Sequence, residues 1–301
     1  MGVAFVTTVD LDAIHDDVDL PLQTAAFADA GIELVQAAWE DNSVDWNAFD
    51  LVVVRSPWNY VEHLDAFRAW LKARQTMTRF HNSARLLEWN MDKRYLADLS
   101  ARGVPIVPTA FVDSIKSFHE AADVIDGSEI VVKPSVSAGS RLTGRFSRTD
   151  AAAAALAETI LRNGLTVMVQ PFASRIDIEG EIGSVVFDGE RSHSFRKAAL
   201  LAEGGALVGG AYREEISSVD APDDVQLVVQ AASDASTNIA REYGWIGAHE
   251  QLLYGRYDVI RLDDGTPALL EAELFEPCFF LTTDSNAANR FVEAVRRRID
   301  S

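Results

Sequence analysis

Apolar positions along this chain recur in two periods, and the balance between them shifts from one end to the other. In the first 85 residues, short apolar runs alternate with helical patterns. Strands are predicted over 2–8, 33–39 and 50–56, and a helix over 20–30 that Gly31 stops. Residues 61–75 are amphipathic, with Leu64, Phe67, Trp70 and Leu71 on one face. Such alternation predicts a small parallel sheet covered on both sides. Ligands of open sheets gather beyond the carboxyl ends of the strands. The polar, aromatic turn Arg55-Ser56-Pro57-Trp58-Asn59-Tyr60 follows one such strand. Arg55 and Ser56 are therefore candidate substrate contacts, with a purely structural loop as the competing reading.

The pattern predicts a second unit from about residue 89. A helix over 91–102 ends at Gly103, and two prolines keep 104–108 extended. A helix over 114–125, a β-branched strand over 129–133, an alanine-rich helix over 150–162 capped by Asp150 and a strand over 166–170 follow. From Glu181 the period becomes that of antiparallel sheet. Strands 182–187 and 191–196 flank Asp188-Gly189, a strong hairpin signal. A long helix over 222–243, opened by Asp220, leads to a second hairpin of 249–262 and 267–274 around Asp263-Asp264-Gly265. The last helix, 287–299, places Arg296, Arg297 and Arg298 at the negative end of its dipole. The expected class is α/β with an α+β C-terminal part. The expected units are 1–88, a lysine-bearing 89–170 and an acidic 171–301.

Composition narrows the function classes. A chain of 301 residues, 48 % hydrophobic and 24 % charged, is long enough for several packed units and too apolar for disorder. No apolar run is long enough to span a bilayer, and Met1 leads straight into the strand-like 3–6 with no basic region or cleavage site. The expectation is a cytoplasmic chain with no membrane partner. One cysteine, Cys278, excludes an internal disulfide and a cysteine-based zinc site. A net charge of −19 argues against nucleic acid as the main partner. Cations occur locally instead, at Lys93-Arg94, Lys133, Arg141, Arg145 and Arg196-Lys197, as a nucleotide site in an acidic protein requires.

Four segments carry candidate chemistry. Lys93, expected on a helix after Asn90-Met91-Asp92, would alone be a surface lysine. Lys133 ends a buried strand, where a lysine has little reason to stand unless an anion neutralises it. The small residues after it, including Ser137, Ala138 and Gly139, leave backbone N–H groups free to close over phosphates. A solvated edge lysine and a flexible turn are the alternative. No G-x-x-x-x-G-K-[ST] pattern is present, which disfavours a P-loop. Gln170-Pro171-Phe172 ends a strand that can offer edge groups to adenine, with Met168 and Phe172 as apolar neighbours and Glu181 placed for the ribose hydroxyls. Asp258 and the pair Glu271, Glu273 lie on hairpin strands, the two glutamates on one face. Three converging carboxylates repel unless a cation sits between them, and hard oxygen donors beside a triphosphate select Mg²⁺. A solvent-facing edge is the alternative. His81, His193 and His249 are possible bases, none of them favoured over a structural role.

In this order the segments resemble the ATP-grasp superfamily, especially its glutathione synthetase and D-alanine–D-alanine ligase branch. The resemblance implies two domains enclosing ATP and a small N-terminal α/β domain. It implies phosphate-binding roles for Lys93 and Lys133, a phosphate loop at 135–140, an adenine hinge at 170–172 and a nucleotide carboxylate at Glu181. Arg256-Tyr257-Asp258 is similar to the family's R-x-D motif, the arginine steadying the transition state and the aspartate binding metal. Glu271-x-Glu273 is similar to its E-x-N metal pair, with glutamate in place of asparagine. Gly204-Gly205 through Gly209-Gly210-Ala211-Tyr212-Arg213 resembles its second glycine-rich loop, which makes Arg213 a candidate for the acyl phosphate and the substrate carboxylate. The implied reaction is ATP- and Mg²⁺-dependent carboxylate–amine ligation of an amino-acid-like substrate through an acyl phosphate, in a homo-oligomer. Arg55–Tyr60, Trp89–Leu96 and Glu276-Pro277-Cys278 together resemble the narrower family of cyclo-ligases that close O-ureido-D-serine to D-cycloserine in antibiotic biosynthesis. An intermolecular amino-acid or peptide ligase and a non-catalytic nucleotide-binding module are the alternatives.

Overall fold

The computed structural model describes residues 2–10, 17–77, 79–199, 201, 206–207 and 215–300. Its first sheet comes from β1 (Gly2–Thr7), β2 (Glu33–Ala38), β3 (Leu51–Val54) and β4 (Phe80–His81), with α1 (Leu20–Asp29) and α2 (Leu64–Lys72) between them. The strands are parallel in the order β2-β1-β3-β4. β3 and nearly all of β1 are buried on both faces, which is why their sequences are unbroken apolar runs rather than alternating ones. Residues 61–75 do not form one helix: a 3₁₀ turn at Trp58–Glu62 precedes the shorter α2.

The helix expected over 91–102 is confined to α4 (Tyr95–Ser100); a separate α3 (Ala84–Asn90) that was not expected precedes it, and Lys93 stands in the turn between them. The break has a physical cause. Asn90 uses its side chain to donate to Ala272 O and accept from Leu274 N, both at 2.8 Å, and the Tyr95 hydroxyl accepts from Ala272 N at 2.8 Å. The turn is thus pinned to a distant strand. The Lys93 N–H donates to Ser135 O at 2.8 Å, which ties it to the expected phosphate loop.

The chain continues through β5 (Ala110–Val112), α5 (Ile115–Val124), β6 (Glu129–Pro134), β7 (Thr143–Ser147), α6 (Ala151–Arg162) and β8 (Val167–Pro171). Asp150 caps α6 by accepting from Ala152 N at 2.8 Å. After α7 (Ile176–Glu179) come β9 (Glu181–Phe187), β10 (Glu190–Lys197), β11 (Ala206–Leu207), β12 (Ile216–Ser218), α8 (Asp223–Glu242), β13 (Tyr254–Arg261), β14 (Pro267–Glu273) and α9 (Ala287–Asp300). Two antiparallel sheets result, ordered β11-β7-β6-β8-β5 and β12-β10-β9-β13-β14. Asp188 and Gly189 both have positive φ, +51° and +79°, as a two-residue hairpin between right-twisted strands demands. β13 begins only at Tyr254, because the backbone before it is engaged elsewhere: Leu253 N donates to Asn82 Oδ1 at 2.8 Å. Helix α8 starts after Pro222 without the expected Asp220 cap.

The cores cross the chain order. Phe5 and Phe27 of the first sheet layer share one cluster with Phe187, Phe195, Phe279 and Phe291. Leu86, Tyr95, Leu96 and Leu99 of the Lys93 helix pair pack mainly with α8, β13 and β14, joined from the second sheet by Met168. That packing places Lys93 against the acidic strand β14. The expected α/β class with an antiparallel C-terminal part is the class found.

Candidate active site

A cleft of about 1470 Å³ opens between the two antiparallel sheets, and most of the sequence-expected residues line it. On one side stand Lys93, Lys133, Ser137, Ala138, Gly139, Gln170, Pro171 and Phe172, and on the other Glu181, Arg256, Glu271 and Glu273. Lys133 occupies the end of β6 because that strand runs inward between β7 and β8. It is only 7 % exposed and, among the described residues, has no ion-pair partner. Burial, with Lys93 nearby, pushes its ammonium pKa down despite the pull of Glu271. The loop after it turns through positive φ at Gly139, Ser140 and Leu142, a tight path in which the N–H groups of Arg141 and Thr143 bond back within the turn.

Lys93 is 2.8 Å from Glu271 Oε1 and donates to Ser137 O at 3.0 Å, so one ammonium joins the loop to the acidic wall. Burial opposes its charge, yet Glu271 more than compensates and raises its pKa. Gln170 is held by donating to Thr109 Oγ1 at 2.8 Å. Phe172 has the Arg145 guanidinium 3.5 Å from its ring centroid, and Glu129 and Asp177 fix that arginine. Met168, expected beside adenine, is instead fully buried with Tyr95 and α8. The apolar walls come from Val107, Val131, Ile260 and Leu270.

The acidic wall departs from expectation. Asp258, 1 % exposed, lies behind the cleft rather than on its surface. It accepts from Lys197 Nζ at 2.9 Å and from Arg256 Nη2 at 2.8 Å, while Glu273 also pairs with Arg256. Among the described residues, no three carboxylate, histidine or cysteine side chains are arranged to hold a metal ion. The expected convergence of Asp258, Glu271 and Glu273 is replaced by four ion pairs, because Lys93, Lys197 and Arg256 stand between the acids. Burial disfavours Asp258's charge, but Arg256 and Lys197 outweigh it and hold the carboxyl well below its usual range. Burial dominates at Glu273, and Asp258 and Glu271 add to it, lifting the carboxyl to about 7. Glu181 also rises to about 7 from burial, although Lys197 pairs with it.

Two expected contacts lie elsewhere. Arg55 and Ser56 are fully buried and do not line the cleft. The Arg55 guanidinium lies 3.8 Å from the Phe279 ring centroid and 3.8 Å from Asp19 Oδ2. Asp19 in turn accepts N–H groups of Phe279, Phe280 and Leu281. The pair supports that loop from behind. The rest of the turn, Trp58 to Tyr60, does line the cleft. Arg213 and the glycine-rich segment before it lie outside the described residues. No histidine lines the cleft among the described residues. His193 bonds Phe279 O and Ser192 Oγ, a structural position.

Two residues of the site escape sequence reasoning. In the sequence Lys197 reads only as a local cation, and its strand register opposite Glu181 is the signal that could have found it. Glu276, at the cleft edge, accepts from the Tyr60 hydroxyl at 3.1 Å. Burial, and then Glu273, raises its carboxyl to about 8.

This geometry has known counterparts. Residues 3–82 match the family model described as D-cycloserine synthetase DcsG, N-terminal domain. Across 305 aligned residues, 99 % of both chains, the sequence is 35 % identical to the cycloserine biosynthesis protein DcsG of Streptomyces lavendulae. This chain belongs to the DcsG family. The crystal structure of D-cycloserine synthetase DcsG, 34 % identical, matches with a TM-score of 0.90 over 99 % of this chain and 100 % of that one. A D-alanine–D-alanine ligase from Bacillus anthracis matches at 0.69 with 15 % identity, over 99 % and 97 % of the two chains. The fold of this DcsG-family chain is that of the ATP-grasp ligases. No helix among the described residues is long and apolar enough to cross a membrane.

Proposed function

We propose that this chain is an ATP-dependent cyclo-ligase that closes O-ureido-D-serine to D-cycloserine through an acyl phosphate. The observation that carries the reading is Lys133: a buried ammonium in no ion pair among the described residues, with Glu271 acting on it only at longer range, facing the same cleft as Lys93, the 137–139 loop and the acidic wall. Polyphosphate supplies the missing charge. Full-length similarity to the DcsG relatives supports the substrate.

In this reading adenine lies against Val131, Phe172, Ile260 and Leu270 near the end of β8, and Glu181 meets the ribose. Lys93, Lys133 and the loop at 137–139 hold the phosphates and offset charge that grows during transfer. Glu271 and Glu273 border the cleft as hard oxygen donors, and the raised carboxyl of Glu273 marks negative charge that a divalent cation relieves. These two, with Asp258 once it parts from Lys197 and Arg256, would hold Mg²⁺. When bound, the ion neutralises phosphate oxygens and orients them for in-line transfer. The substrate carboxylate attacks the γ-phosphate. The ring-closing nitrogen then displaces phosphate, with Arg256 stabilising the developing oxyanion. Intramolecular attack needs no second substrate site. Atom balance then requires one water to hydrolyse the carbamoyl group, breaking its bond to the ring nitrogen and releasing carbon dioxide and ammonia, with ADP and phosphate as the other products.

The test is ADP release with O-ureido-D-serine as sole carboxylate, with mass spectrometry of the product. The ring product without any second amine is the expected result. Turnover only with pairs of amino acids, giving a linear amide, would overturn it.

A further inference from the structure

The carboxylates around Lys93, Lys197 and Arg256 are not equivalent. Glu181, Asp258, Glu271 and Glu273 each touch an ammonium or guanidinium. Glu276 touches none among the described residues, although it lines the same cleft. Its side chain accepts only from a neutral donor, the Tyr60 hydroxyl at 3.1 Å. Its backbone carbonyl accepts from the Trp58 indole N–H at 3.1 Å. The acid is therefore held in place by neutral donors, with Lys93 and Arg256 acting on it only at longer range.

What surrounds it is aromatic. Trp58, Tyr60 and Phe275 line the cleft beside it, and the Tyr60 and Phe275 rings meet edge to face with centroids 4.8 Å apart. A fixed carboxylate beside aromatic rings is the recognition chemistry of an organic ammonium. The acid supplies charge-assisted hydrogen bonds, and the rings accept the cation on their faces. A bound ammonium favours the ionised form of this acid, whereas a phosphate or a second carboxylate gains no charge pairing from it. Glu276 also follows Glu273 by three residues, so a bound ammonium lies next to the acidic wall where a carboxyl is activated.

We propose that Glu276 is the anchor for the substrate's α-ammonium, so that this cleft selects α-amino acids whose amino group stays free and protonated. The inference rests on the ligase reading above and adds to it the group that the enzyme recognises but does not react. It separates the substrate's α-amine from its two ureido nitrogens: the amine goes to Glu276, and the oxygen-bound ring-closing nitrogen faces the activated carboxyl. Loss of one charge-assisted bond at such a site weakens binding about 10- to 100-fold.

The experiment compares the full-length wild type, Glu276→Gln and Glu276→Asp, each with circular dichroism to confirm folding. Substrates are O-ureido-D-serine and its des-amino analogue, 3-(ureidooxy)propanoate. Calorimetric binding of O-ureido-D-serine is measured in parallel with a non-hydrolysable ATP analogue and Mg²⁺. Glu276→Gln is expected to raise KM for the amino substrate about 10- to 100-fold with kcat within a few-fold. It should also lose the wild type's preference for that substrate over the analogue, and Glu276→Asp should recover part of it. An unchanged KM overturns the assignment. An equal fall in kcat on both substrates also overturns it, since that is the signature of a proton-transfer role. If calorimetry shows Glu276-dependent binding while the wild type releases no ADP, the ligase reading fails and the anchor stands. If the wild type turns over and both variants match its KM, the anchor fails and the ligase reading stands.

Discussion

Lys197 donates to Asp258 Oδ2 at 2.9 Å, and the same ammonium pairs with Glu181 across the β9–β10 hairpin. One side chain thus compensates two buried acids from neighbouring strands. Removing it leaves Glu181 without its ion-pair partner and Asp258 with Arg256 alone, and breaking a buried pair from one side costs about 3–5 kcal/mol. Lys197→Met should lower the urea-unfolding free energy by about that amount. A loss below about 1 kcal/mol would show that the acids find other partners.

Lys133 predicts the opposite trade. Its ammonium is buried, and its depressed pKa means the fold resists the charge at neutral pH. Lys133→Met should therefore keep or raise Tm while cutting ADP release about 10²–10³-fold. Glu271→Ala should cut turnover comparably without loss of helical signal. Near-native turnover in both variants would remove these residues from the site.

Stability should fall as pH rises from about 5 to 8. The carboxyls of Glu181 and Glu273 are raised to about 7, and that of Glu276 to about 8, from an ordinary 4.5. Between those values the folded chain holds protons that the unfolded chain has released, so each unit of pH favours unfolding. Below 4.5 both states are protonated, and above about 8 both are ionised, so the slope is confined to that window. Glu276→Gln should flatten it. Thermal melts across the range measure this directly, and a Tm that climbs toward pH 8 contradicts it.

Asp19 supports the 279–281 loop and offsets the buried Arg55. Asp19→Ala removes the acceptor of three buried N–H groups and leaves a guanidinium without its acid, for a loss of about 3–5 kcal/mol. Substrate KM, measured below the new Tm, should move less than about threefold, because neither residue reaches the cleft. A large KM change with little loss of stability would restore Arg55 as a substrate contact.

What the sequence made legible were local patterns. Lys133 at a strand end, the Asp188-Gly189 turn and the alternation of Glu271 with Glu273 each announce themselves within a few residues. What it hid depended on contacts across the chain. Tyr60 meets Glu276 from 216 residues away, and Asn90 meets Ala272 from 182. No periodicity encodes such pairings. Met168 shows a third limit. It shares a strand face with Gln170, but helix α8 covers one position and leaves the other open. Arg55 reads as a ligand arginine by position after its strand, and only the packing of Phe279 and Asp19 around it shows the structural use.

The phenylalanine cluster that joins β1 and α1 to α9 limits how this chain can be recombined. Phe291, from the last helix, lies 6.2 Å from both Phe5 and Phe27. Grafting residues 3–82 onto another ligase would carry away half of a hydrophobic seam whose other half sits at the opposite terminus. Chimeras that exchange 3–82 together with 287–300 keep the seam intact. The segment recognised as a family domain is therefore not a self-sufficient module, and its unit of inheritance includes the chain's far end.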